Sequence, residues 1–329
     1  MAIARRKVVV SVRQRKYRPA LRIIGMIPVY NESDIIDNVI EHLLFQGIQL
    51  VIVDNGSTDG SFESCSKFLG SGVSSLERLA TDRLEFDLLV SKLYEMALKQ
   101  NPDWVLLSAA DEFLESPYPE LTLENAIESE DRKGYNMIQF NNFEFWPTEQ
   151  DEKSHESDVR KRLKYYTFND DTQFRAWKIC PEITVTGTAG HYPIFPSNVR
   201  IRIPETKYVL RHYRIRSYQH GLKKVFSERL PRYPPEEQEK GKHVHYDAFT
   251  REKKFFVIYS GNLNRYNDDG KWIAKKTFDW TWGLKAKPWA KPPASRLAVR
   301  LANKVPVAAD LWKSLFLKRR PLPTQDEKT

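Results

Sequence analysis

The sequence predicts an α/β fold, an open and mostly parallel sheet flanked by helices, followed by a mixed α+β part. Three observations carry this expectation. Short apolar runs end in polar loops, amphipathic helical spacing fills the gaps between them, and the strand–helix–strand spacing is about 30 residues, the length of a βαβ unit.

The first run, Ile23-Ile24-Gly25-Met26-Ile27, is stopped by Pro28 and reads as a buried strand. Ile35, Ile36, Val39, Ile40, Leu43 and Leu44 then recur at helical spacing, with Asn31 as N-cap, Glu32 and Asp34 as early acids and Gly47 as the stop. Leu50-Val51-Ile52-Val53 is a second buried strand, closed by Asp54-Asn55-Gly56-Ser57-Thr58-Asp59-Gly60. Phe86, Leu89, Leu93 and Ala97 line another helical face, and Trp104-Val105-Leu106-Leu107 is a third strand running into Ser108-Ala109-Ala110-Asp111-Glu112-Phe113. Ligands of parallel sheets sit beyond the carboxyl ends of the strands, so these polar clusters are expected on one rim.

Past residue 135 the pattern is mixed. Residues 136–145 read as a strand or hairpin, 164–178 as extended chain, Tyr208-Val209-Leu210 as a strand, and Ser217 to Leu230 as a helix. Pro231, Pro234 and Pro235, followed by the charged stretch Glu236 to Lys242, mark a boundary. The expected organisation is a basic arm over 1–20, a domain over 21–230 with halves 21–115 and 116–230, and a C-terminal extension over 231–329.

Composition narrows the function classes. Among 329 residues, 41% are hydrophobic, enough for a sizeable core. No run of about 18 apolar residues is present to span a bilayer, which argues against an integral membrane protein. Val8-Val9-Val10 gives way to Arg13 too soon for a secretory leader, so the expected compartment is the cytosol. Cys65 and Cys180 are too few for a disulfide framework and match no zinc spacing. The excess of 52 Lys+Arg over 43 Asp+Glu favours anionic partners without choosing among them.

The segments Pro28-Val29-Tyr30-Asn31-Glu32 and Asp54-Asn55-Gly56-Ser57-Thr58-Asp59-Gly60 each read alone as tight turns and helix caps. Together, at this separation, they resemble the nucleotide-sugar-binding half of glycosyltransferase family 2, which has the GT-A fold; the resemblance covers roughly residues 21 to 115. It implies that Pro28, Tyr30 and Glu32 flank the nucleobase and ribose, and that Asp54, with Asn55 and Gly56 beside it, binds uracil or an equivalent base. No Gly-x-Gly-x-x-Gly opens the first helix and no P-loop is present, so a dinucleotide dehydrogenase fits poorly.

Family members carry Asp-x-Asp at a strand end, where the carboxylates hold Mn²⁺ or Mg²⁺ against the donor diphosphate. Here the triplet is Ala109-Ala110-Asp111, so the first carboxylate is missing, while Asp111-Glu112-Phe113 resembles a subgroup with Asp-Glu-Phe. The resemblance implies Asp111 as metal ligand and Glu112 as its support or a sugar contact, in keeping with the oxygen preference of hard cations. The segment Val209 to Ser217 resembles the part where the subgroup places a histidine near the diphosphate, which makes His212 the second metal ligand and Arg214 or Arg216 the groups that neutralise the leaving diphosphate. His191, in the Gly-rich turn from Thr186 to Pro193, is expected to close over the donor sugar. Glu144 and Glu182 rank ahead of Asp170 and Asp171 as the base that deprotonates the acceptor.

The implied activity is transfer of a sugar from a nucleoside diphosphate sugar, a UDP-sugar foremost, to a hydroxyl of a glycan or glycolipid, metal-dependent and inverting. Two rivals stand beside it. Ala109 suits a non-catalytic nucleotide-sugar-binding protein, and the basic, Trp-bearing tail suits a nucleic-acid-binding module, for which no signature motif is present. His243 and His245 read as a surface or acceptor-side feature, since no nearby Cys or further spaced His accompanies them. Trp272, Trp280 and Trp282 read as packing of the extension ahead of sugar stacking. The apolar stripe and cationic end of Leu311 to Arg320 suit peripheral contact with an anionic membrane on its inner face, against simple docking.

Overall fold

A computed structural model describes residues 21–151, 154, 156–185, 193–234 and 256–275, the side chains of 170–172 excepted. The arm over 1–20, His191, His243, His245, Trp280, Trp282, Leu311 to Arg320 and the side chains of Asp170 and Asp171 lie outside the described residues.

In chain order the elements are β1 (Ile23–Val29), α1 (Ile36–Phe45), β2 (Gln49–Asp54), α2 (Ser61–Ser66), β3 (Val73–Arg78), α3 (Phe86–Leu98), β4 (Trp104–Leu107), β5 (Glu112–Glu115), α4 (Leu123–Arg132), β6 (Met137–Trp146), α5 (Val159–Arg162), β7 (Tyr165–Lys178), β8 (Tyr208–His212) and α6 (Tyr218–Leu222). A π-helical stretch, Lys223–Arg229, continues α6 and runs into a 3₁₀ turn, Leu230–Arg232; β9 (Asn264–Arg265) comes last. The strands form one sheet in the order β3-β2-β1-β4-β7-β6-β8-β5, with β9 beside β7. Strands β1 to β4 are mutually parallel. Strand β7 runs against both β4 and β6, so β6 and the β8 paired parallel to it point the same way as the first four.

The apolar runs are continuous because both faces of the parallel half are covered. Ile23, Ile27, Leu50, Ile52, Trp104 and Leu106 pack on one side with Ile36, Val39, Ile40 and Leu43 of α1. The alternate residues Ile24, Met26, Val51, Val53, Val105 and Leu107 pack on the other side with Leu89, Val90, Leu93 and Met96 of α3. At Gly25 a Cβ would sit 2.6 Å from Leu50 Cδ2, so the central strand needs glycine there.

Several elements differ from the expectation. Strand β1 continues through Pro28 to Val29. Met26 C=O accepts from the Ser108 N–H, so the Pro28 nitrogen faces the same side, beyond the last β1–β4 pair at Met26–Leu107, where no donor is required. Asn31 is not the N-cap of α1: that place falls to Ile35, and Asn31 adopts φ 52° and ties loops together. The helix expected over 217–230 is α-helical only in α6. Phe256 and Ile258 pack with the α3-side core, and Trp272 stacks on Phe143 and Tyr266, so the described part of the expected extension lies against the main sheet. Among the described residues no helix is long and apolar enough to cross a membrane.

Candidate active site

The loops after β1, β2 and β4 open at the same carboxyl edge, and one cavity takes lining residues from all three: Tyr30 and Glu32 from the first, beside Pro28 at the end of β1, Asn55 from the second, and Ala109 to Asp111 from the third. Phe86 and Leu89 of α3 supply its apolar wall and Arg229 of the π-helical stretch its cationic one.

Side-chain hydrogen bonds lock the first two loops to each other. The Asn31 N–H donates to Ser57 Oγ (3.0 Å), the Thr58 N–H donates to Asn31 Oδ1 (2.9 Å), and the Glu32 N–H donates to Ser61 Oγ (2.8 Å). Asn31 Nδ2 donates in turn to Glu228 Oε1 (3.0 Å), which ties both loops to the π-helical stretch. Asp54 lies behind the wall residues, with its Oδ2 buried and without a hydrogen-bond partner among the described residues. Its Oδ1 accepts from the N–H groups of Gly56 (3.1 Å) and Ser57 (3.0 Å) and from Arg78 Nε (3.1 Å), so it shapes the turn, and Asn55 forms the wall. Gly56 has φ 76° and stands close to Ala80, which only glycine tolerates without strain. The Arg232 guanidinium lies 3.8 Å from the Tyr30 ring centroid and bonds Asn55 Oδ1 (3.1 Å).

Glu32, on the cavity wall, is a buried charge hub. Its carboxylate meets Lys224 Nζ at 2.7 Å, Arg216 Nη2 at 2.7 Å and Arg229 Nη2 at 3.0 Å. Arg216, 2% exposed, also grips Asp34 through Nη2 (2.6 Å) and Nε (2.7 Å), and is thereby committed to carboxylates of the protein. Burial would lower its pKa, but Glu32 and Asp34 raise it. Arg214 pairs with Glu144, Nε to Oε1 at 3.1 Å. Arg214 and Arg216, expected at the diphosphate, are paired with carboxylates of the protein, as are Lys224 and Arg229; of the four, Arg229 lines the cavity.

Strand register assembles the third cluster. His212 pairs with Glu112 of β5 on one side and with Glu144 of β6 on the other. Its Nε2 faces Asp111 Oδ1 at 3.4 Å and its Nδ1 faces Glu144 Oε2 at 3.5 Å. Burial works against a charged ring, yet the two carboxylates outweigh it and raise the imidazole to about 10. Burial likewise favours neutral Asp111, but Lys224, 2.8 Å from Oδ2, and His212 hold it well below the ordinary carboxylate value. Glu144 is lowered too, because Arg214 and then His212 overcome its desolvation. Glu112 lies behind this group: Oε1 pairs with Arg175 and Oε2 accepts from the Ala109 N–H (2.9 Å), which fixes the β4–β5 turn.

Neither expected base lies on the cavity wall. Glu144 sits behind His212. Glu182 is exposed, four residues past Lys178, whose pairing with Trp104 puts it at the opposite edge of the sheet, where β4 begins.

Two groupings invite a metal ion. Glu32, Asp34 and His220 bring one ligand atom each within 4.8 Å of one another. Arg216 already fills that space, bonding both carboxylates and donating its backbone N–H to His220 Nδ1, so the trio does not fit a cation. Asp111 Oδ1 and His212 Nε2 offer one oxygen and one nitrogen facing each other, a donor set that Mn²⁺ accepts and substrate phosphate oxygens can complete.

Sequence reasoning missed Lys224, Arg229, Arg232 and Phe86. The available signal was the recurrence of Lys223, Lys224, Arg229 and Arg232 downstream of His212, in a segment read only for its apolar face.

Comparison with known proteins bears on this arrangement. Among curated proteins none matches the chain in sequence. Solved structures similar to it include S. aureus TarS (13% identity, TM-score 0.32, covering 70% of this chain and 44% of that one). S. aureus TarS 1–349 gives 14% identity and a TM-score of 0.34, over 71% of this chain and 73% of that one. The same fragment in complex with UDP gives 13% and 0.33, over 70% and 75%. The chain spans less than half the length of the first of these. The family model described as glycosyl transferase family 2 matches residues 26–176, which run from β1 into β7 and include the polar loops after β1, β2 and β4. Residues 26–176 thus match the glycosyl transferase family 2 model, and the mostly parallel α/β sheet that carries them fits the GT-A fold.

Proposed function

We propose that the chain transfers a sugar from a nucleoside diphosphate sugar, a UDP-sugar foremost, to a hydroxyl of a glycan or glycolipid, with inversion. The observation that carries this reading is the single cavity whose wall takes Tyr30 and Asn55 from two nucleotide-side loops and Asp111 from the third, with His212 facing Asp111. Tyr30 and Asn55 receive the nucleoside. Arg229, on the wall, meets the diphosphate, and Lys224, buried between Glu32 and Asp111, adds positive charge behind it. Asp111 and His212 would hold Mn²⁺ or Mg²⁺, which supplies positive charge against the diphosphate oxygens. In the transfer, the acceptor oxygen bonds to the anomeric carbon and gives its proton to a base. The bond from that carbon to the diphosphate oxygen breaks, and its electron pair leaves with the diphosphate.

The test is a thermal-shift screen of nucleoside diphosphate sugars with and without Mn²⁺, followed by an assay of nucleoside diphosphate release. The expected result is Mn²⁺-stimulated release that Asp111→Ala abolishes. Ala109 is the one observation favouring a binding protein without turnover. Donor-induced stabilisation with no release across a broad acceptor set would decide for it, and no response to any sugar nucleotide would end both readings.

A further inference from the structure

We propose that Glu144 is a positioning residue that holds the His212 imidazole in the one tautomer able to share a divalent cation with Asp111. This rests on the transferase reading above and concerns how that site takes its metal.

The argument begins with the strands. Glu144 and His212 are direct partners in the parallel β6–β8 pair, so their side chains leave the sheet on the same face. The carboxylate is 1% exposed and faces Nδ1 at 3.5 Å, while Asp111 faces Nε2 on the other side of the ring at 3.4 Å. A neutral imidazole has one N–H and one lone pair. Both carboxylates can only accept, so without a cation each ring nitrogen keeps its proton. A cation held by Asp111 would displace the proton on Nε2, and the fixed Glu144 carboxylate would retain the one on Nδ1, leaving the Nε2 lone pair for the cation. This is the arrangement by which outer carboxylates orient metal-bound histidines.

Glu144 is itself held. Arg214 pairs with both oxygens, at 3.1 and 3.2 Å, and Asn169 Nδ2 donates to Oε2 at 3.3 Å. Asp111 is oriented too, because Lys224 takes Oδ2 and leaves Oδ1 toward the ring. Such preparation matters more here than in a chain with a full Asp-x-Asp. Ala109 contributes no carboxylate, so the described residues supply one oxygen and one nitrogen donor, and misdirection of the ring removes half of that set.

Mn²⁺ binding to the full-length chain in the presence of UDP, read by the electron paramagnetic resonance of free Mn²⁺, tests the proposal. Glu144→Leu is expected to weaken Mn²⁺ binding roughly 10- to 100-fold. Glu144→Gln keeps an oxygen that can accept from Nδ1–H and is expected to recover most of that loss. A purely structural Glu144 would instead make both variants bind like the native chain or weaken both alike. Because Glu144→Leu strands Arg214 and can unfold the chain, ¹⁵N shifts of the His212 ring in the native chain loaded with Mg²⁺ and UDP provide a variant-free measurement. A proton on Nδ1 and none on Nε2 is expected, and the reverse overturns the proposal. A native chain that binds UDP but takes up no Mn²⁺ also overturns it, while leaving the transferase reading in place. A native chain that binds neither ends that reading itself.

Discussion

Arg216 shows how much of the site's chemistry is used to hold the protein together. Its guanidinium spans Glu32 and Asp34 at 2.6 to 2.7 Å in nearly complete burial. Removing one partner of such a group leaves uncompensated charge, so Arg216→Met is expected to lower stability by about 3–5 kcal/mol in urea denaturation. His42 provides a second residue-scale prediction. It is buried against the Phe113 ring at 5.2 Å, with its Nε2 bonded to the Leu114 carbonyl at 2.9 Å. Burial lowers its pKa below 6.5; Glu115 opposes the shift, and Arg160 and Arg211 add to it. A lowered folded value means that the unfolded chain binds the proton first. The contribution is therefore complete above pH 6.5 and declines as the pH falls, by at most about 1.4 kcal/mol per unit. His42→Gln is expected to flatten that acid limb when stability is measured between about pH 6.5 and 5. At this scale the sequence showed which residues come together better than what each one does. Asp111 and His212 were singled out together and stand 3.4 Å apart. For Asp54, Arg214 and Arg216 a motif reports that a carboxylate or guanidinium is present, not that its charge meets Arg78, Glu144 or Glu32 and Asp34 within the protein.

Among the elements, the π-helical stretch is the one that periodicity hid. Lys224 and Arg229 are five residues apart and both contact Glu32 Oε1, at 2.7 and 3.0 Å. On an α-helix that spacing would turn them about 140° from each other, whereas i→i+5 hydrogen bonding brings them to one side. Inserting one alanine between Phe226 and Ser227 is expected to part the two cations. It should weaken UDP binding roughly tenfold, the order of a charge-assisted hydrogen bond, in titration calorimetry. Retained affinity would mean that the two cations do not serve one ligand. The apolar spacing of Leu222, Val225 and Phe226 suits either helix, so the choice between them is made by contacts with Glu32 and Asn31 that lie far away in the chain. Strand β3 escaped notice for a related reason. It is an edge strand with few buried residues, so its pattern is weak, while β1, β2 and β4, covered on both faces, were plain.

For the molecule as a whole, the polar loops matter only if they serve one ligand. Saturation at 100 times Kd should stabilise the native chain by about 2.7 kcal/mol. Tyr30→Ala, which removes a wall residue outside the core, is expected to reduce UDP-sugar affinity roughly tenfold, the range of one base-stacking contact, while the ligand-free melting point shifts by only a few degrees. A thermal-shift titration of both proteins checks this. The convergence also has a geometrical origin. Strands β4 and β5 are four sheet positions apart, about 19 Å if the sheet were flat, yet only Ser108 to Asp111 joins them. Even fully stretched, that linker reaches about 17 Å, and it is bent by the Glu112 N–H bonding back to the Ala109 carbonyl. The sheet must therefore curl until its far margin returns toward its middle. Asp111 sits on the drawstring, so the carboxylate that faces His212 and the stitch that closes the fold belong to one four-residue turn, and neither can be lengthened without slackening the other.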